Sequence, residues 1–173
     1  MDDDAVDPRG GALMTECVIR AATVDDLETI ADFNARLAKE TEDRSLDHET
    51  VRQGVRALLR DPTRGVYYVA CADDRVIGQI MHTREWSDWR NGDIWWIQSV
   101  YVHPDHRRRG VFRSLYAHLQ ALAESDQRVV GLRLYVELDN QVAQATYEGL
   151  GMMAARYRVM EHLFDTHQDE RGG

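Results

Sequence analysis

Polar and apolar positions along the chain switch between two periods. Glu16 to Ala22 (ECVIRAA) is a short strand-like run, and Thr23 follows as a helix N-cap with Asp25 and Asp26 in the first turn, where the helix dipole favours carboxylates. Leu27, Ile30, Ala31, Phe33 and Leu37 then recur at helical spacing. A second helix is expected to open at Asp47 or His48, to carry Val51, Val55, Leu58 and Leu59, and to stop before Asp61-Pro62. The polar stretch ETEDRSL between them reads as a loop or a frayed helix end. Val66 to Cys71, a turn at Asp73-Asp74 and Val76 to Met81 running on toward Trp86 give a hairpin pattern. A second turn near Asn91-Gly92 leads into Ile94 to Val102 (IWWIQSVYV), apolar on both parities as a central strand covered on both faces would be.

After Pro104 the spacing of Val111, Leu115, Leu119 and Leu122 predicts a long helix to about Ala123. Val129 to Val136 reads as another strand, Asn140 to about Leu150 as a helix ended by Gly151, and Met152 to Phe164 as a last extended strand. The predicted order is β-α-α-β-β-β-α-β-α-β, a mixed α/β sheet with helices on both faces. Residues 1–14 and 165–173 are polar and aperiodic and read as disordered ends, which leaves one domain over residues 15–164.

Composition narrows the function classes. The 173 residues suit one domain, and no apolar run approaches the length of a bilayer span. An acidic start, Met1-Asp2-Asp3-Asp4, is unlike a secretory signal, so a cytoplasmic location is expected. Cys17 and Cys71 read as two buried thiols of a reducing compartment, and no Cys or His spacing suggests a metal site. A net charge of −9 argues against nucleic acid as a partner. Among the 21 basic residues Lys39 is the only lysine, and arginine presents a fixed fork of donors suited to phosphate and carboxylate.

The densest arginine cluster lies where the central strand runs into a helix, in Val100-Tyr101-Val102-His103-Pro104-Asp105-His106-Arg107-Arg108-Arg109-Gly110-Val111-Phe112. Unpaired N–H groups at a helix start hold anions, and Gly110 permits close backbone approach. The Gly-Lys-Ser/Thr ending of a Walker A loop is absent. A second pattern, Asn140-x-x-Ala143-x-x-x-Tyr147-x-x-x-Gly151, describes a capped helix with an aromatic residue two turns in.

Together these two patterns resemble the GNAT superfamily of N-acetyltransferases, from the strand at Glu16 to Phe164. The family's phosphate-binding turn, (Gln/Arg)-x-x-Gly-x-(Gly/Ala), is matched by Arg107-x-x-Gly110-x-Phe112, with Phe112 in place of the usual small residue. The resemblance implies direct acetyl transfer from acetyl-CoA to a primary amine. It implies that the backbone of Val100 and Val102 pairs with the pantetheine arm, with Tyr101 between them also among the cofactor-binding residues. The turn Arg107, Arg108, Arg109, Gly110, Val111, Phe112 and Arg113 would hold the pyrophosphate. Asn140 would contact the bound CoA, and Tyr147 would protonate the departing thiolate. A phenol keeps its proton at neutral pH, which suits that role. The central strand carries no carboxylate, and Glu85, Asp93 and Glu137 stand at strand ends as candidates for a base, with Glu85 placed first.

The acceptor side is read from composition and, for the segment between the first two helices, from what the resemblance implies, since that segment often borders the acceptor site in the family. All four tryptophans fall within the eleven residues from Trp86 to Trp96, beside Glu85, Asp88 and Asp93. Indole faces and carboxylates attract cations. Trp86, Trp89 and Trp96, with Glu40 and Glu42 from the acidic stretch after the first helix, are the expected acceptor residues for a small cationic amine. A peptide N-terminal or lysyl amine, or a CoA-binding module without catalysis, are the alternatives. Monomer and homodimer both remain open.

Overall fold

The computed structural model describes residues 17–164. Glu16 and the two expected disordered ends lie outside the described residues. Strand β1 (Val18–Ala21) passes through a 3-10 turn (Val24–Asp26) into helix α1 (Leu27–Glu42). There Thr23 and Asp26 form a capping box, and Arg20 donates two hydrogen bonds to the Asp26 carboxylate, at 2.7 and 2.8 Å. These contacts fix α1 to the first strand. Asp47 caps α2 (His48–Arg60) by accepting from Thr50 N, as the sequence predicts.

Strands β2 (Val66–Ala72), β3 (Arg75–Ser87) and β4 (Gly92–Val102) form an antiparallel meander. The β2–β3 turn places Asp73 and Asp74 both at positive φ, the geometry that matches the twist of a tight hairpin. Helix α3 (Val111–Ser125) crosses over to β5 (Val129–Leu134), which pairs parallel with β4. The five strands lie in the order β1-β2-β3-β4-β5.

Strand alternation divides the core between two faces. Tyr67, Val69 and Met81 join Leu27, Ile30 and Val55 beneath α1 and α2. Tyr68, on the opposite parity of β2, meets His118 of α3. Gly78 allows α3 to come close, because a Cβ there would lie 3.2 Å from Val111 Cγ1 and 3.3 Å from Leu115 Cδ1. Helices therefore cover both faces, as predicted. Cys17 and Cys71 are free thiols and only partly buried, so the expectation of two fully buried thiols is not met.

The chain divides between Leu134 and Tyr135 into two compact units. The second contains α4 (Gln141–Gly149), capped by Asn140 and followed by Gly151 at φ +87°. Two sequence expectations fail here. The strand beginning at Val129 ends at Leu134, not Val136, and no described residue from Met152 to Phe164 forms a strand. Met153, Tyr157, Met160 and Phe164 are instead exposed. An apolar-rich run becomes a strand only when another edge accepts its backbone groups, and hydrophobic content alone does not supply that edge.

Candidate functional site

The site grows from an irregularity in β4. Across the β3–β4 ladder Gln79 faces Tyr101 while Met81 faces Gln98, so β4 carries one extra residue. Ser99 sits in that bulge at φ +49°, an uncommon conformation for a residue with a side chain. A buried polar network holds it. Gln79, fully buried, donates through Nε2 to the Ser99 carbonyl (3.1 Å) and to Asn34 Oδ1 (2.7 Å). Asn34 Nδ2 donates to the Tyr67 hydroxyl at 2.9 Å. Burial pushes the Tyr67 phenol up, with the Ser99 and Asn34 side chains offsetting part of the effect.

Past the bulge, β4 loses its second neighbour. The β4–β5 ladder runs from Asp93 to Ile97 and stops. Gln98 to Val102 therefore present one edge with no strand partner among the described residues, the side from which an extended ligand can pair. The predicted cofactor residues Val100, Tyr101 and Val102 all lie on this segment. The Tyr101 side chain turns away from that role: its ring packs on Phe33 with centroids 4.9 Å apart, and its hydroxyl donates to Glu40 Oε1 at 2.8 Å. Burial and the Glu40 carboxylate both raise the Tyr101 phenol.

Beyond Val102 a 3-10 turn (Pro104–His106) leads into the arginine turn, where Arg108 has φ +62° and Gly110 φ +80°. Gly110 is the N-cap of α3 and makes no side-chain cap hydrogen bond, and the amides of a helix's first turn, here at Val111 to Arg113, have no partner within their own helix. The Val111 side chain is buried, which leaves its backbone for that role. The Phe112 ring leans on Tyr116, with centroids 6.2 Å apart. Arg108, Arg109 and Arg113 are exposed and have no acidic partner among the described residues.

Arg107 differs from them. Its Nε donates to the Val102 carbonyl (2.9 Å), its terminal nitrogen to Glu40 Oε2 (2.6 Å), and its guanidinium lies 5.3 Å from the Tyr101 ring centroid. Glu40, predicted for the acceptor, is therefore joined to a residue predicted for CoA. Partial burial works against its charge, but the bonds from Tyr101 and Arg107 outweigh it and hold the carboxyl below the usual carboxylate range.

The tryptophan cluster does not assemble as predicted. Trp86 and Trp89 are 61% and 87% exposed. Trp95 is buried with its ring 3.8 Å from that of His82. Register places Trp96 opposite Thr83 and Trp86 opposite Asp93, so Trp86 and Trp96 point to different faces of the sheet. The face of Trp96 already carries a cation, the guanidinium of Arg133 at 5.2 Å. Arg133 also donates to both oxygens of Glu85 (3.0 and 3.1 Å), and Trp96 Nε1 donates to the same carboxylate. Eleven residues of sequence hold all four indoles, but alternate strand residues face opposite sides, and proximity in sequence says nothing of that.

In place of that cage the first unit contains a cleft of about 350 Å³. Tyr67, Met81 and Ser99 form its sheet side, and Asn34, Leu37, Val51, Val55 and Leu58 contribute from the helices. Glu42 is the one carboxylate of the lining. It belongs to the last turn of α1, within the stretch expected to be a loop or a frayed helix end. The cleft, the bulge and the Asn34–Gln79 network were not anticipated. Gln79 and Gln98, polar within apolar strands, were their only sequence sign.

In the second unit Asn140 Oδ1 accepts from Ala143 N at 3.0 Å, so its side chain caps α4. Tyr147 is half-buried on that helix. Among the described residues no group of three or more His, Cys, Asp or Glu could hold a metal ion, and no helix is long and apolar enough to cross a membrane.

The sequence profile of the Acetyltransferase (GNAT) family matches residues 26–152. The chain belongs to the GNAT acetyltransferase family. Among solved structures, a possible acetyltransferase from Clostridium difficile 630 is 49% identical, with a TM-score of 0.81 over 86% of this chain and 97% of its own. Two more distant structures share the fold. A ribosomal-protein-alanine N-acetyltransferase from Brucella melitensis biovar Abortus 2308 is 21% identical with a TM-score of 0.68, over 86% of this chain and 99% of its own. An aminoglycoside acetyltransferase from an uncultured soil metagenomic sample is 15% identical with a TM-score of 0.67, over the same shares. Curated proteins gave no match. The family match runs through both compact units, from α1 to the end of α4.

Proposed function

We propose that this GNAT protein moves an acetyl group from acetyl-CoA to a primary amine by direct attack. The observation that carries this reading is the succession of three features on one short stretch: the Ser99 bulge, the unpartnered edge from Gln98 to Val102, and the uncapped start of α3. A strand edge suits an amide-bearing arm. A helix start flanked by Arg108, Arg109 and Arg113 suits its phosphates.

The acceptor enters on the α1–α2 side, where the cleft reaches Ser99. Its nitrogen, once neutral, attacks the thioester carbonyl carbon; a C–N bond forms and the C–S bond breaks. Tyr147 supplies the proton taken up by the leaving thiolate, as the family motif implies. The proton lost by the amine leaves through water. Glu85 is a poor recipient because Arg133 and Trp96 already occupy its carboxylate. The cleft carboxylate Glu42 replaces the tryptophan face as the acid that attracts an ammonium group.

The test combines binding and turnover. Acetyl-CoA should raise the melting temperature, and mass spectrometry should detect acetylated amines from a panel. Tyr147→Phe keeps the ring and deletes the hydroxyl, so kcat should fall about 10²- to 10⁴-fold with acetyl-CoA affinity unchanged. Binding with no acetylated product from any amine would favour a CoA-binding module. Full activity in a folded Phe variant with chemistry rate-limiting would remove Tyr147 from the mechanism.

A further inference from the structure

Helix α2 has a gap in its apolar stripe. Val51, Val55 and Leu58 line the cleft, and Gly54, at i+3 from Val51 and i−4 from Leu58, lines it with them. Gly54 is itself exposed, so the cleft is open to solvent where the helix carries no side chain. Glycine is the poorest helix former after proline, and the fold does not require it at this position. The residue lies in regular helix, it is absent from the positive-φ glycines, and a Cβ added to it meets nothing within 4 Å. Among the described residues neither backbone geometry nor a close neighbour requires glycine at this position. Its effect is to keep one wall of the cleft open.

We propose that Gly54 sets the capacity of an apolar acceptor pocket, and that the amine this chain acetylates carries an aliphatic or aromatic body that fills it. This rests on the amine-acceptor reading above and deepens it. Leu37, Val51, Val55, Leu58 and Met81 supply apolar walls, which favour a hydrocarbon body over a polyhydroxylated or polycationic one. The polar end of the same cleft is Asn34, Tyr67 and Ser99, against the bulge where the thioester is expected. An amine with its nitrogen at Ser99 would lay its tail along α2 at Gly54.

The probes are n-hexylamine and methylamine, tested on the full chain and on Gly54→Ala and Gly54→Leu. Calorimetry reads binding, mass spectrometry reads acetyl transfer, and a thermal melt reads stability. Each buried methylene contributes roughly three- to fourfold in affinity, so the native chain should bind n-hexylamine at least about tenfold more tightly than methylamine. Gly54→Leu should weaken n-hexylamine at least about tenfold and raise its KM to match. Gly54→Ala should lie between. Both variants should melt at the native temperature or above, since alanine and leucine are better helix formers.

Equal binding of n-hexylamine by Gly54→Leu and the native chain would overturn the proposal, as would equal binding of the two amines by the native chain. The two readings fail separately. Size-dependent binding with no acetylated product keeps the pocket and removes the transferase reading. Acetylation of both amines with no size preference keeps the transferase and removes the pocket.

Discussion

At the scale of single residues, the arginines of the turn divide by what they touch. Arg108, Arg109 and Arg113 extend into solvent without an acidic partner among the described residues, whereas Arg107 bonds the last carbonyl of β4 and the Glu40 carboxylate. The sequence expectation gave Arg107 and Arg109 the same phosphate-holding role, and the structure gives the two side chains different surroundings. Arg107 ties the end of β4 to α1, and so positions the strand edge as well as the turn. Charge-assisted hydrogen bonds contribute roughly 1.5 to 3 kcal/mol, about tenfold or more in affinity. Arg109→Ala should therefore weaken acetyl-CoA by about tenfold and leave a phosphate-free thioester untouched. Arg107→Ala should weaken both, because the strand edge meets both. Titrating the two thioesters against the two variants checks this, and a loss confined to acetyl-CoA in Arg107→Ala would return that residue to direct phosphate contact.

At the scale of elements, the helices and strands were legible because their periods and caps are local. Thr23, Asp47, Asn140 and Gly151 bound their helices where the residue types predicted. What escaped depends on partners distant in sequence. The bulge at Ser99 arises from a register between β3 and β4, and is braced by Asn34 from α1. The missing last strand and the dispersed tryptophans fail for the same reason. The α3-facing side of β3 and β4 gives a measurable consequence of such pairing. His82 is fully buried, stacked on Trp95 and facing Tyr68, which in turn meets His118 of α3. Burial first, and the Arg84 charge second, lower its pKa from 6.5 to about 4, against a backbone contact at Thr83. Above pH 6.5 the imidazole is neutral in both folded and unfolded chains. Below it the unfolded chain gains a proton that the folded chain refuses until about pH 4. Stability is then fully present above about pH 6.5 and lost as pH falls toward 4, by on the order of 3 kcal/mol. Urea melts across that range should show the loss, and His82→Phe, which keeps a stacking ring, should flatten the slope. An unchanged slope in that variant would assign the pH dependence to other groups.

At the scale of the whole molecule, the proposed reaction requires residues from both compact units. The strand edge, the arginine turn and the acceptor cleft belong to the part ending at Leu134, while Asn140 and Tyr147 belong to the part beginning at Tyr135. In the proposed reaction the arginine turn, which gathers positive charge locally on a protein of net charge −9, is where an anionic CoA would be attracted. Capture there does not by itself involve α4. If Asn140 and Tyr147 meet the same ligand, acetyl-CoA must order backbone in both units at once. Hydrogen exchange reads this directly, because amides slow when their local opening is suppressed. Saturating acetyl-CoA should slow exchange at Gln98 to Val102 and at Val111 to Arg113. It should also slow the amides of α4 from Gln141 to Gly149, the helix that Asn140 caps. The global part of the effect is separable, since a ligand at 100 times its Kd stabilises the folded state by about 2.7 kcal/mol and slows only amides that exchange through global unfolding. Comparison with a chemical stabiliser that raises the melting temperature equally removes that contribution. Protection confined to β4 and the start of α3 would place the ligand on the first unit alone and withdraw both Asn140 and Tyr147 from the site.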